Sequence, residues 1–391
     1  MRLPRTVIAL GVVSLFNDLA SEIVVPLIPI LLTTVLGAGP VALGIIEGVA
    51  DAVAAFLKLW SGRRSDALGG RRKGLTLAGY LLSNVARPLL GLAGSWATVL
   101  LLRSVDRVGK GLRTAPRDAL IADATPPRIR GYAYGFNRAL DNGGAVGGSL
   151  FAAAVLAWSH IGLTQMILLS AIPGFIAILA LAIGVSEPPA APAPNALAPP
   201  LALGALSGAM RRYLAVVGLF TLARASETFI LLLGHARGAP VVELLLLWAA
   251  LAFAKAITST LGGRVADKIP RAAVVLISWA AFCVTFALFA VFPGQQALWL
   301  ITVAYGLFAG FGEGAERALI SDFAAEQERG TAFGWYNLVL GLAAIPAGLL
   351  FGGLWHYAGA PAAFLTAAGL AFVSVVLLRR WAWPRTGTAR E

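Results

Sequence analysis

Apolar windows of about 20 residues recur along the whole chain, and this pattern restricts its fold more than any other feature. As helices, windows of this length cross about 30 Å of hydrocarbon. The composition agrees, because 58% of the 391 residues are hydrophobic and only 13% are charged, whereas about a quarter of a soluble chain is charged. Segments of about ten residues with alternating polarity, from which membrane β-barrels are built, are absent. The sequence therefore predicts an all-α membrane protein.

Twelve windows are present, and a Pro- and Ala-rich stretch typical of a semi-rigid linker divides them into two sets of six. Short connections such as 37–40 make neighbouring helices antiparallel. We predict a first bundle at 1–185, a linker at 186–212, a second bundle at 213–378 and a tail at 379–391. The predicted helices lie at approximately 7–35, 41–60, 75–94, 96–121, 131–157, 163–185, 213–233, 241–261, 272–292, 296–321, 331–357 and 361–378.

Lysine and arginine are distributed asymmetrically over the connections. The N-terminus, the even-numbered connections and the C-terminal tail hold most of those outside the windows, whereas the odd-numbered connections hold only Arg237. Cytoplasmic connections carry the excess of Lys and Arg, so we predict cytoplasmic termini and a bacterial cytoplasmic (inner) membrane location. The net charge of +12 lies in these connections and tails. It therefore reports topology, and we expect no nucleic-acid partner.

The chain contains an internal repeat. Residues 117–135 recur as residues 316–334, and Gly62-x-x-x-Asp66 recurs as Gly263-x-x-x-Asp267. Each match falls on the same predicted side of the membrane. With six windows in each half, the two halves are predicted to be repeats of parallel topology.

The connection between the second and third windows carries a motif that resembles a family signature. It reads Gly62-Arg-Arg-Ser-Asp66-Ala-Leu-Gly-Gly-Arg71-Arg72-Lys73. The signature of the major facilitator superfamily here is Gly-x-x-x-Asp-Arg/Lys-x-Gly-Arg-Arg/Lys, so that Ala67 replaces the first basic residue and one Gly is extra. With the repeat, the chain resembles this superfamily along essentially its whole length. The resemblance implies the major facilitator fold, with two pseudo-symmetric six-helix bundles and a substrate site between them.

Two further motifs resemble the drug/proton antiporter branch of that superfamily. Arg103 is similar to the arginine of the fourth helix in these antiporters, and Gly144-x-x-x-Gly148 is similar to part of their fifth-helix signature. Ser149 stands where that signature has Pro, so the match is incomplete. The resemblance implies a secondary transporter in which the first and fourth helices line the cavity of the N-terminal half.

The fourth window is unusual because residues 103–118 hold seven charges. A charge at the bilayer centre costs about 2.5–3.5 kcal/mol on insertion scales, so these side chains must face water or partners. On a helix, Arg103, Arg107, Lys110 and Arg117 form one stripe, with Asp106 adjacent. Like charges at this spacing repel, and their partners are therefore predicted to come from other helices.

A substrate cavity is predicted around this stripe. In the seventh window, Arg224 and Glu227 are placed three residues apart on one helix face, either opposite the fourth helix or in an internal ion pair. Lys255 in the eighth window is predicted to meet Glu227 or water. The predicted cavity residues are Arg103, Asp106, Arg107, Lys110, Arg138, Arg224 and Glu227.

Three roles remain open for the charges within the windows. A carboxylate can take up a proton, with Arg103 controlling its release; the candidates are Asp18, Glu22, Asp51 and Asp141. Alternatively, the basic residues of the fourth window bind an anionic substrate, because the Arg fork matches carboxylate and phosphate. The third possibility is a charge network that only holds and gates the bundle.

A cytoplasmic gate is predicted from the acidic and basic residues at the helix ends. Acids there can pair with arginines across a bundle interface and separate when the halves rock. Positive-inside anchoring is the alternative explanation for the arginines. The predicted gate residues are Asp66, Arg71, Arg72, Arg117, Asp118, Asp123, Arg130 and Asp267.

The predicted function is secondary active transport of a small molecule, coupled to protons and not enzymatic. No phosphate-binding loop or nucleophile elbow is present, and the His residues and the single Cys283 lack metal-ligand spacing. We expect no cofactor, no metal and a monomer in the lipid bilayer. Efflux by antiport, including multidrug efflux, is the leading interpretation. The alternatives are proton-linked transport of an organic or phosphorylated anion in either direction, and a membrane receptor that transports nothing.

Overall fold

The computed structural model describes residues 3–67, 72–126, 129–186, 203–266, 269–323 and 329–383. Within these ranges all regular structure is helical, and it forms twelve helices. They are α1 (Arg5–Val35), α2 (Pro40–Ala67), α3 (Lys73–Leu89), α4 (Trp96–Ala124), α5 (Arg130–Trp158), α6 (Leu163–Gly184), α7 (Gly208–Ala236), α8 (Val241–Ala266), α9 (Arg271–Val291), α10 (Gln295–Phe323), α11 (Arg329–Ala358) and α12 (Ala360–Arg380).

Ten of the described helices are long and apolar enough to cross a membrane. The other two are α3, which has 17 residues, and α4, whose apolar character is interrupted by the charged stretch 103–118. α4 begins where the sequence predicts, because the Ser95 side chain caps it by accepting the Thr98 backbone N–H at 3.2 Å.

Three helices are interrupted. The regular part of α1 ends at Val24, and Pro26 and Pro29 in the following turns lack the N–H that a continuous helix needs. α6 has a break at Ser170. α7 consists of Gly208–Ala223 and Thr228–Ala236. Arg224 and Glu227 therefore do not share one helix face, and their predicted helical spacing is wrong because the helix is broken between them.

The helices pack in two groups of six, here called the N group (α1–α6) and the C group (α7–α12). In the N group, α1 contacts α5 and α6, and α4 contacts α2 and α3. The C group repeats these pairings, because α7 contacts α11 and α12, and α10 contacts α8 and α9. The predicted linker and tail fall largely outside the described residues, so their boundaries stay predictions.

Contacts between the groups are most extensive along α2 and α11, and α5 against α8 is the symmetry-related pair. Gly44 lies so close to Gly348 that a Cβ on either residue would overlap the carbonyl of the other. The same close approach continues from Gly352 at Pro40 to Gly341 at Ala55. Small residues allow this backbone contact. We call it the α2–α11 seam.

Candidate functional site

Paired charges fill the interior of the N group. Arg103 is 1% exposed and donates from Nε and Nη2 to the two carboxylate oxygens of Glu47 on α2, each at 3.2 Å. Asp106, fully buried, accepts from Arg87 Nε on α3 at 3.0 Å and from Arg103 Nη1 at 3.3 Å. These four residues form the charge cluster. Its partners come from α2 and α3, as the repulsion within α4 predicts.

Polar side chains from α1 and α3 complete the charge cluster. Arg87 Nη1 donates at 3.0 Å to both the backbone and side-chain oxygens of Asn17. About two turns further along α4 than Asp106, Arg113 donates to Ser83 Oγ, and its guanidinium lies 4.7 Å from the centroid of the Tyr80 ring. Every charge here is enclosed and has a partner, which is the condition for tolerating buried ions.

Arg103 and Asp106 therefore lie inside the N group and line neither of the two cavities described below. Their prediction as cavity residues does not fit this structure, because Glu47 and Arg87 enclose and neutralise them. Lys110, by contrast, is exposed in the middle of α4 and interacts electrostatically with Arg107 and Asp51.

Among the residues that the structure describes, three polar side-chain contacts join the two groups. Trp248 on α8 donates its Nε1–H to Glu22 on α1 at 2.6 Å. Ser226, in the α7 break, lies 3.5 Å from Glu47 of the charge cluster. Arg138 on α5 pairs with Glu313 on α10 at 2.7 Å. Of the predicted proton carriers, Glu22 is the one that binds a side chain of the other group within the described residues.

The other three predicted proton carriers have different surroundings. Asp18 accepts from its neighbour Asn17 at 2.9 Å. Asp51 is exposed in the middle of α2. Asp141 is ion-paired with Arg117 at 3.4 Å, and Arg117 also pairs with Asp118 at 3.0 Å.

The C group contains a cavity of about 270 Å³, here called the C cavity. Phe220 and Trp279 stack in its wall with ring centroids 4.0 Å apart. Phe282 meets the ring of Tyr305 edge-on at 5.9 Å, and both also line the space. The charged residues around the C cavity are Arg224, Glu227, Lys255, Glu313, Glu316 and Arg317.

The carboxylates around the C cavity accept several hydrogen bonds from neighbouring side chains. Buried Glu316 accepts from Tyr336 and, at 3.4 Å, from Trp279. Glu227 accepts from Lys255 at 2.8 and 3.0 Å and from Tyr305 at 2.9 Å. The predicted contact between Lys255 and Glu227 is confirmed. Arg224 and Glu227 both line the C cavity but have different partners, because Arg224 lies 3.6 Å from Glu316.

A second, wider opening of about 970 Å³ lies between α4, α5, α8 and α10, and we call it the groove. Arg117, Asp118, Arg138 and Asp141 line it from the N group, and Glu313 and Arg317 line it from the C group. The groove therefore brings together residues predicted separately as gate, cavity and proton-coupling positions.

The gate prediction is corrected in one respect. Arg72 pairs with Asp123 at 3.0 Å, and the repeat-equivalent Arg271 pairs with Asp322 at 2.6 Å. Each pair joins two helices of the same group, so neither latches the groups together. Arg71 and Asp267 lie outside the described residues, and so do the side chains of Asp66 and Arg130.

Several residues of these sites were not selected from the sequence, among them Glu47, Arg87, Glu316, Tyr336 and Gly312. A signal was available for two of them. The internal repeat aligns Glu316 with Arg117 and Gly312 with Arg113, so charged positions of α4 point to them directly.

Comparison with known proteins agrees with this architecture. Residues 10–233 and 219–391 match the family model of the Major Facilitator Superfamily. An uncharacterized MFS-type transporter of Methanocaldococcus jannaschii is 31% identical over 382 residues, which cover 96% of this chain and 94% of that protein.

Two solved structures illustrate the shared fold. The human organic anion transporter MFSD10 (TETRAN) is 20% identical, with a TM-score of 0.69 over 96% of this chain and 99% of that one. A D-xylose–proton symporter is 15% identical, with a TM-score of 0.74 over 97% and 98%.

Proposed function

Because the chain belongs to the Major Facilitator Superfamily and is a multi-pass membrane transporter, we propose that it is a proton-coupled secondary transporter. It moves a small organic molecule by alternating access and acts as a monomer. All twelve helices cross a bacterial cytoplasmic membrane, with both termini in the cytoplasm. α3 and α4 are tolerated in the bilayer because Arg87 of α3 and Arg103 and Asp106 of α4 are ion-paired inside the N group.

The hydrogen bond between Glu22 and Trp248 carries the proposal of proton coupling. It joins α1 to α8, and so the N group to the C group, at 2.6 Å. A carboxylate is roughly twice as strong an acceptor as a neutral group. Protonation of Glu22 therefore weakens this contact between the groups. The structural neighbour named as a D-xylose–proton symporter supports coupling of this kind on the same fold.

The α2–α11 seam supplies the surface on which the groups rock. Its close contacts extend from Pro40 to Ala55, involve backbone atoms and Ala55 Cβ, and do not depend on side-chain charge, so protonation leaves them in place. The Glu22 contact lies on other helices and can open. Protonation of one carboxyl group then shifts the balance between two arrangements of the same two groups.

Export in exchange for protons is the direction we propose. Each charge that moves down a potential of 100 mV supplies about 2.3 kcal/mol, and a proton entering a cell moves with that potential. The similarity of Arg103 and the Gly144-x-x-x-Gly148 motif to the antiporter branch supports the same direction. Transport of an organic anion is favoured within this scheme by Arg224, whose side chain makes no hydrogen bond within the described residues and lies 3.6 Å from the nearest carboxylate oxygen.

Gradient-driven transport in proteoliposomes tests the role of Glu22. A substrate identified by thermal-shift screening should accumulate against its gradient when a pH difference is imposed. Glu22→Gln should abolish accumulation but retain exchange of labelled for unlabelled substrate, because binding and rocking persist. Glu243→Gln is the matched control, since Glu243 also accepts from a tryptophan, Trp299 at 2.7 Å, but within one group. Full accumulation by Glu22→Gln would disprove the assignment, and binding without any exchange would indicate a receptor.

A further inference from the structure

Hydrogen-bond donors and acceptors around the C cavity are used unequally. Its three acids each have at least two partners: Tyr336 and Trp279 for Glu316, Lys255 and Tyr305 for Glu227, and Arg138 and Arg317 for Glu313. Glu316 and Glu227 accept on both carboxylate oxygens, whereas both donors to Glu313 reach its Oε1. A ligand that enters the C cavity therefore meets acids that are already paired with donors of the protein.

Arg224 is the exception among the charged residues of the C cavity. Its side chain makes no hydrogen bond within the described part of the chain, and the nearest carboxylate oxygen, on Glu316, is 3.6 Å away. The side chain is 38% exposed and lines the C cavity. A guanidinium carries five N–H donors in a planar fork. Arg224 thus presents unused donors at the point where α7 is broken.

The walls of the C cavity favour a flat apolar group beside this arginine. Phe220 and Trp279 are stacked with an interplanar angle of 6°, and the Arg224 guanidinium lies 5.7 Å from the Phe220 ring centroid. Aromatic groups pack best against such surfaces in offset or edge-on geometry. A volume of about 270 Å³ lies just below the range of roughly 300–1,000 Å³ typical of ligand sites. It suits a compound with one ring.

The internal repeat shows how the two interiors differ at this place. Gly312 on α10 is the equivalent of Arg113 on α4, and Trp279 is the equivalent of Tyr80. In the N group, the Arg113 guanidinium lies over the Tyr80 ring. In the C group, Gly312 has no side chain, Ser278 lies where its Cβ would be, and both residues line the C cavity. The protein thus supplies no cation from this position to the Trp279 ring.

We propose that the C cavity binds a small aromatic carboxylate. Its carboxylate takes the fork of Arg224, and its ring packs against Phe220 and Trp279. The proposal rests on the proposed function and names the substrate class of the transporter. An exported anion also moves in the direction that a negative interior favours.

Binding of three matched probes to the purified protein tests the proposal. Phenylpropanoate, phenylpropanamide and phenylpropylamine share a ring and a chain but carry a negative, a neutral and a positive end. Isothermal titration should show binding of the carboxylate, with the amide and the amine weaker by about 10- to 100-fold, since they lose the charge-assisted contact. Equal or tighter binding of the amide or the amine would overturn the proposal, whatever the behaviour of any variant.

Substitution of Arg224 locates the site. Arg224→Gln should weaken phenylpropanoate binding by about 10- to 100-fold. The affinity of Arg224→Lys should lie between those of the parent and Arg224→Gln, because Lys keeps the positive charge but lacks the planar guanidinium. Arg237→Gln is the control, since Arg237 donates to the Phe289 backbone oxygen at 2.7 Å outside the C cavity. Unchanged affinity in a folded Arg224→Gln protein would overturn the site.

The two proposals fail in distinguishable ways. Proton-driven transport of another compound, without phenylpropanoate binding, would overturn the substrate class and leave the transporter function intact. Phenylpropanoate binding without transport in proteoliposomes would overturn the proposed function and leave the site intact.

Discussion

The N and C groups have the same helix pairings but opposite interiors. The N group has charged or small polar side chains at positions where the C group, 199 residues later, has aromatic rings or a glycine. Ser83, Arg87, Asp106 and Arg113 correspond to Phe282, Phe286, Tyr305 and Gly312. The N interior is closed by ion pairs, whereas the C interior encloses a cavity. The difference is consistent with the two proposals, which assign proton coupling to Glu22 of the N group and ligand binding to the C group.

Among the variants that test this comparison, removal of the Asp106 carboxylate is expected to lower the stability of the protein most. Asp106→Ala leaves Arg87 and Arg103 without their shared acceptor, and breaking a buried ion pair costs about 3–5 kcal/mol. The equivalent change in the C group, Tyr305→Phe, removes one hydrogen bond to Glu227, worth about 0.5–1.5 kcal/mol. Unfolding in detergent should therefore separate the two variants clearly. Equal stability of both would mean that the charge cluster is not what holds the N group together.

A bulky residue in the α2–α11 seam should cause the next largest loss of stability. Gly348→Val forces a side chain into the Gly44 backbone, and overpacking of this kind costs about 1–3 kcal/mol. Transport should fall with stability, because the groups lose the surface on which they rock. Gly353→Val, on the same helix, is the control because nothing lies within 4 Å of its Cβ position. Normal transport by Gly348→Val would show that the groups do not depend on this contact.

The smallest effect is expected where the two groups are alike. Asp123→Asn and Asp322→Asn each weaken one partly exposed pair with an arginine, and such pairs contribute about 0–1 kcal/mol. The loss of stability caused by each substitution should be smaller at high salt, because salt screens the ion pair in the parent protein. Melting temperatures measured at two salt concentrations would show this. A large loss of stability in one variant alone would contradict the equivalence of these two ion pairs.

Much of the fold could be predicted from the sequence. The twelve windows became twelve helices, and the predicted fourth helix at 96–121 is found at Trp96–Ala124, because length and hydrophobicity determine such elements. The break in α7 could not be predicted. Residues 224–227 contain neither Gly nor Pro, so no local signal competes with a continuous helix.

The sites were predicted less completely than the fold. The sequence indicated that Arg103 needs an acidic partner but did not identify Glu47, because the partner depends on how α2 packs against α4. The C cavity was missed because its rings are typical of packing when read singly. Only the repeat, which places Gly312 at the position of Arg113, indicates that the C group lacks a cation there.

We propose that protonation of Glu22 releases a contact between the two groups. Spin labels at Tyr132 on α5 and Ile257 on α8, both exposed, would report the separation of the groups in a Cys283→Ser protein. Lowering the pH should shift the distance distribution, Glu22→Gln should show the low-pH distribution at every pH, and Glu243→Gln should titrate like the parent. A Glu22→Gln protein whose distances still change with pH as the parent's do would contradict the claim.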